Sequence, residues 1–267
     1  MLQDDVAVAE APAPLATPIR PPSRPAPAET LRHTVRRLSA AQKGAHGAPA
    51  YSRFVNRPAG RVLAALAFHR GMTPDAVTAT SAVFSFSAIA TVALAEHTWW
   101  VGVLVALGLA LGYALDSADG QLARLRGGGT PAGEWLDHLV DAAKTVSIHL
   151  AVLVGLFRHG AVGSGWLLVP VVFVVFDVVY FSAMLLNEAL RTAHGAPTRA
   201  AQEGRASVVR SLVVLPTDYG VLCLVFVLLG SAPAFLAGYG LLALCTAGFV
   251  LAALPRWRRE MSRLGAA

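Results

Sequence analysis

With 267 residues, 55% of them hydrophobic and only 14% charged, the chain is too apolar for an ordinary soluble domain of its length. Its mean hydropathy of +0.56 makes an integral membrane protein the first expectation. The net charge of +6 accompanies no nucleic-acid-binding motif, which excludes nucleic acid as a partner and points to anionic membrane lipid.

Residues 1–50 are rich in Ala and Pro, contain no apolar signal-peptide core and read as a disordered cytosolic tail. In YSRFVNRPAGRVLAALAFHR, residues 51–70, Phe54, Val55, Val62, Leu63 and Leu66 fall at roughly helical intervals, with Arg57, Arg61 and Arg70 for the wet side. That pattern predicts an amphipathic helix lying on the cytosolic leaflet. GMTPDAVT follows, with Pro74 marking a helix start. Runs long enough for a hydrocarbon core of ~30 Å lie near 76–96, 98–116, 137–157, 164–185, 211–230 and 233–254, so the fold expected is all-α with six transmembrane helices. Gly108 and Gly112 in the second run form a GxxxG, suited to close helix approach. Cys223 and Cys245 sit inside apolar runs and read as packing residues. The membrane domain is assigned to residues 51–255, with a basic cytosolic tail at 256–267.

Of the 22 Lys and Arg residues, all but Lys144 and Arg158 precede the first run or follow the second, fourth or sixth. The positive-inside rule then places both termini in the cytosol, as expected for a multi-pass protein of the cell membrane.

Four aspartates interrupt this pattern where the second run ends and the third begins. Asp116 and Asp119 are three apart and Asp137 and Asp141 four apart, so on helices each pair projects from one face. A short connection that folds back would bring all four to one cytosolic pocket. Clustered like charges beside a low-dielectric region need cations or protons, and oxygen-only ligands favour hard divalent ions, Mg2+ or Mn2+. Asp116 or Asp137 alone would read as a helix cap. The constellation reads differently, because Gly120, Ala123 and Gly133 let a nucleotide or another backbone approach and Arg124 offers a phosphate contact.

Asp116, Asp119, Gly120, Ala123, Arg124, Gly133, Asp137 and Asp141 fit DxxDGxxARx8GxxxDxxxD without a departure, and this resembles the signature of the CDP-alcohol phosphatidyltransferase family. TPDAVT is similar to the family's TPNxVT, with Asp75 standing where Asn is usual. SRFVNRPAGR is similar to a stretch of members that use inositol phosphate, and LPTDYG, residues 215–220, also looks family-like. The resemblance implies six transmembrane helices, a cytosolic amphipathic helix, a cytosol-facing site and a homodimer. It implies two metal ions held by Asp116, Asp119, Asp137 and Asp141, with Asp141 also the general base. Gly120, Ala123, Gly133 and Arg124 would hold the CDP-alcohol. The expected reaction moves a phosphoryl-alcohol group from a CDP-alcohol, with CDP-diacylglycerol the expected donor, to a polyol or polyol-phosphate hydroxyl, releasing CMP.

Three cations are candidates for an acceptor phosphate. Lys144 lies three residues after Asp141 on one helical face, though it could equally balance the aspartates' charge; Arg205 and Arg210 precede the fifth run. Asp177 and Tyr180 intrude on the fourth run; they could touch an acceptor hydroxyl or join helices, and joining is the expectation. The histidines lack ligand spacing and read as interface or surface residues. Two alternatives stand beside the leading reading. A soluble CDP-polyol such as CDP-inositol could be the donor, or the aspartates could belong to a divalent-cation transporter, for which carboxylates near the midplane would be needed.

Overall fold

The computed structural model describes residues 29–40, 49–159, 163–197, 211 and 214–264. Among them the fold is all helical. Helix α1 spans Leu31–Ala40; a π-helical turn, Ser52–Asn56, leads into α2, Arg57–His69. Then come α3, Pro74–Leu94; α4, Trp99–Leu125; α5, Pro131–Arg158; and α6, Leu168–Ala193, entered through a 3-10 turn at Ser164–Leu167. Helix α7, Tyr219–Val225, continues as a 3-10 stretch to Gly230, and α8 runs Ala232–Leu264.

The helix starts are written in threonine. Thr73, Thr98 and Thr130 each accept a hydrogen bond from the backbone N–H three residues on, and Pro74 and Pro131 occupy first-turn positions where no N–H is needed. The turn out of α4 needs a positive φ at Gly127 and Gly128.

Helices α3, α4, α5, α6 and α8 are long and apolar enough to cross a membrane. The fifth expected run differs. In the described residues it forms only Tyr219–Gly230, about 20 Å at helical rise and short of a full span. Pro216 sits in a 3-10 turn, and Asp218 then caps α7 by accepting from Gly220 N at 3.0 Å, which fixes the helix start there.

Two other boundaries are corrected. Leu31–Ala40 is a helix rather than part of a disordered tail: Leu38 is buried against α2, and Thr34 Oγ1 lies 3.0 Å from His69 Nε2. The basic segment after residue 255 is no separate tail either, because α8 continues through Pro255 to Leu264 and Glu260 pairs with Arg191 of α6. The helix α2 does behave as an interfacial element. Its Ala64, Ala65 and Phe68 pack inward, while its Val62, with Phe54 and Val55 of the turn before it, stays exposed, the two-faced pattern of an interfacial helix.

Helix α3 is the spine of the bundle. It packs along both α4 and α5, which approach each other far less closely than each approaches α3. Small residues make the α3–α4 contact tight: a Cβ on Gly108 would stand 3.1 Å from Ala88 Cβ, and Ser81 donates to the carbonyl of Gly112 at 2.8 Å. The GxxxG expectation is met at this interface. A continuous core of Ile89, Val92, Leu109, Ile148, Phe226 and Tyr239 closes the far side of the bundle. Exposed Trp99, Trp100 and Trp166 stand near helix starts at one end and Trp135 at the other, as interfacial anchors do.

Candidate active site

Because α3 separates α4 from α5, the end of α4 and the start of α5 face each other across a gap, and the aspartates project into it. Lys144 of α5 spans that gap. Its ammonium donates to Asp116 Oδ1 at 2.5 Å and pairs with Asp141 Oδ1 at 2.7 Å, while the side chain is almost wholly buried. This is the charge-balancing arrangement, and it fixes the two carboxylates relative to each other.

Asp119 is buried and oriented from α3: Thr78 Oγ1 donates to its Oδ2 at 2.6 Å, and the N–H of Gly120 reaches Oδ1. Sequence reading missed Thr78, 41 residues away, although it belongs to the TPDAVT segment. Asp137, His138 and Asp141 each bring one ligand atom to within 4.8 Å of the others. Asp137 Oδ1 is buried and has no hydrogen-bond partner among the described residues. An oxygen-rich set with an orphaned buried carboxylate oxygen fits a hard divalent cation. His138, which spacing had left out, enters this cluster simply because positions i+1 and i+4 of α5 lie beside Asp137.

The interposed small residues lie around the same gap. A Cβ on Gly120 would meet only Arg124 Nη1, at 3.6 Å, so Arg124 folds back over that glycine. A Cβ on Gly133 would stand 3.1 Å from Asp75 Oδ1 and 3.2 Å from Thr130 Oγ1, so the start of α5 approaches the start of α3 closely there. Ala123 lies one position before Arg124 and is half-buried. Arg57, opening α2, is close enough to Arg124 for the two charges to repel. Burial pulls the Arg57 guanidinium below its ordinary value, and Gln121 Nε2 donates to the Arg57 carbonyl at 3.1 Å, tying α2 to α4. This basic pair suits a diphosphate.

Beside the aspartates opens a cavity of about 190 Å³, lined by Asp116, Asp141 and Lys144 and by Tyr113, Asp177 and Thr246 among others. Asp218, at the rim, accepts from Ser52 N at 2.8 Å and so fastens the π-helical turn to α7; burial raises its pKa above the ordinary carboxylate value. Asp177 joins helices as expected, through His149. Arg205 and Arg210, the other two acceptor candidates, lie outside the described residues.

No curated protein matches the sequence. Solved structures of phosphatidylinositol phosphate synthase PgsA1 from Mycobacterium tuberculosis are similar in fold. The form with manganese and citrate is 23% identical with a TM-score of 0.48, over 73% of this chain and 87% of that one. The form with CDP-DAG bound is 22% identical with a TM-score of 0.48, over 76% and 93%. Residues 71–254 match the model of the CDP-alcohol phosphatidyltransferase family, a stretch that holds α3 to α7, most of α8 and the eight positions from Asp116 to Asp141. This chain, a multi-pass membrane transferase, belongs to the CDP-alcohol phosphatidyltransferase family.

Proposed function

We infer that the enzyme transfers a phosphatidyl group from CDP-diacylglycerol to a hydroxyl of a polyol or polyol phosphate and releases CMP. The observation that carries this reading is the convergence of the motif carboxylates, from two helices held apart by a third, beside a cavity of small-molecule size. Asp116, Asp119, Asp137 and Asp141 would hold Mg2+ or Mn2+, two ions per site. When bound, these ions neutralise the diphosphate and stabilise the departing CMP oxygen.

The chain's own groups do the rest. Asp141 takes the proton of the acceptor hydroxyl as that oxygen attacks the phosphorus on the alcohol side of the diphosphate. The bond from this phosphorus to the bridging oxygen breaks, and CMP leaves with the electron pair. Thr78 holds Asp119 in place, and Gly120, Ala123 and Gly133 make room for the nucleotide. Arg124 contacts its phosphates. Lys144, which lines the cavity while pairing with Asp116 and Asp141, would use its third N–H toward a phosphate of the acceptor, with Arg205 and Arg210 as the other candidates.

The basic-residue asymmetry supports a cytosolic site and cytosolic termini in the cell membrane, and the family resemblance supports a homodimer. Purified enzyme given labelled CDP-diacylglycerol, Mg2+ and a panel of polyols and polyol phosphates should release CMP and carry the lipid label into a new extractable lipid. CMP release from CDP-inositol alone, with no lipid product from CDP-diacylglycerol, would reassign the donor.

A further inference from the structure

The cavity beside the aspartates contains a carboxylate outside the motif. Asp177, midway along α6, lines it together with Asp141 and Lys144 and keeps 23% of its side chain accessible. A carboxylate within a membrane span is costly, and it marks function when its surroundings are built to hold it. Here they are built. His149 of α5 is fully buried, its Nε2 lies 3.0 Å from Asp177 Oδ2, and its Nδ1 lies 2.5 Å from the hydroxyl of Tyr239 on α8.

Those partners assign the tautomer. With Nε2 carrying the proton toward the carboxylate, Nδ1 accepts from the tyrosine, and both ring nitrogens are spent. Phe173 packs on the imidazole at 4.3 Å and on the Tyr239 ring at 5.0 Å, which leaves the imidazole no freedom to turn toward the cavity. The His149–Tyr239 bond already joins α5 to α8, so helix joining alone does not call for a charged group on α6. Only Oδ2 of Asp177 is committed, and Oδ1 has no partner among the described residues. His149 stands five residues beyond Lys144 along α5, about 7.5 Å deeper by helical rise.

The cavity therefore presents an ammonium near the reacting carboxylates and, deeper, an acceptor-only oxygen. Its volume is that of roughly six waters, suited to a compact molecule. A phosphate at the deep position would meet a carboxylate, and an ammonium would share the cavity with Lys144. A neutral hydroxyl meets neither penalty. We propose that Asp177 is the specificity residue for the acceptor, taking a hydrogen bond from a hydroxyl other than the one that is phosphatidylated, with His149 and Tyr239 as positioning residues behind it. The acceptor class is then a polyol whose second hydroxyl is read directly. This rests on the reading that the acceptor enters this cavity.

Full-length enzyme in detergent, with CDP-diacylglycerol and Mg2+, should be assayed for CMP release against inositol phosphate, its mono-deoxy analogues, glycerol phosphate and serine. Wild type should lose about tenfold in kcat/KM with at least one deoxy analogue. Asp177→Asn should raise the KM for the intact polyol about tenfold, leave the KM for CDP-diacylglycerol unchanged and abolish discrimination against that analogue. In this variant the amide oxygen answers His149, so the NH2 faces the cavity as a donor where an acceptor is needed. His149→Gln, which can still donate to Asp177, should retain discrimination, whereas His149→Leu should lose it. Three outcomes would overturn the proposal: wild type indifferent to every deletion of a hydroxyl, Asp177→Asn damaging both substrates equally, or serine preferred. The wild-type comparison stands even where a variant fails to fold. If no polyol or polyol phosphate supports CMP release at all, the acceptor class under Proposed function fails with it; if one does and discrimination is absent, only the role of Asp177 falls.

Discussion

Lys144 can pair with two carboxylates at once because its side chain reaches across a gap that the backbones do not close. One of those carboxylates, Asp141, is the proposed base. Asp141→Asn keeps the shape and cannot take a proton, so CMP release should fall at least a hundredfold while CDP-alcohol binding by equilibrium dialysis holds. Thr78 acts one step further back. Removing its hydroxyl leaves buried Asp119 without its 2.6 Å donor, so Thr78→Val should cost roughly tenfold in kcat/KM, and Thr78→Ser should restore most of it. A Thr78→Val enzyme at wild-type rate would show that the hydrogen bond does not orient Asp119.

Among the elements, several close approaches bring a glycine against the backbone of a neighbour. A Cβ on Gly102 of α4 would lie 2.6 Å from the carbonyl oxygen of Phe226, which opens the 3-10 stretch after α7, so α4 and that stretch must separate to admit it. Gly102→Ala should therefore cost about 1–3 kcal/mol in overpacking, read as a lower thermal midpoint in detergent, whereas Gly248→Ala, with open space around it, should leave the midpoint unchanged. The long helices were legible in the sequence because their apolar runs and Thr-Pro starts are local signals. The motif was legible for the same reason, since spacings of three and four residues fix a shared face. Helix α1 was hidden by the Pro-rich stretch before it, although Leu31, Val35 and Leu38 repeat at helical intervals. The shortness of α7 was hidden because hydropathy counts apolar residues and not the cap at Asp218 that starts the helix late. Thr78 and the His149–Asp177 link were invisible, because which helices neighbour which is decided by packing across many residues.

At the scale of the whole molecule, the clustered carboxylates are met among the described residues by the buried ammonium of Lys144, and four carboxylates beside a diphosphate call for further positive charge. Chelation with EDTA should abolish CMP release, and Mg2+ or Mn2+ should restore it; full turnover after exhaustive chelation would remove metal from the reaction. The arrangement of helices has another outcome. Helix α4 is anchored by α2 and α3 and helix α5 by α3 and α6, while a Cβ added at Gly128 or Gly129 between them would meet nothing within 4 Å, so no other element packs on that connection. The turn there closes the end of α4 by bonds within α4's own last turn, Gly128 N donating to the Ala123 carbonyl, so the pairing of α4 and α5 with α3 rests on helix packing. The polypeptide could thus be expressed as two fragments, 1–128 and 129–267, that find each other in the bilayer. Co-expressed fragments should co-purify and release CMP within several-fold of the intact chain, and either fragment alone should be inert.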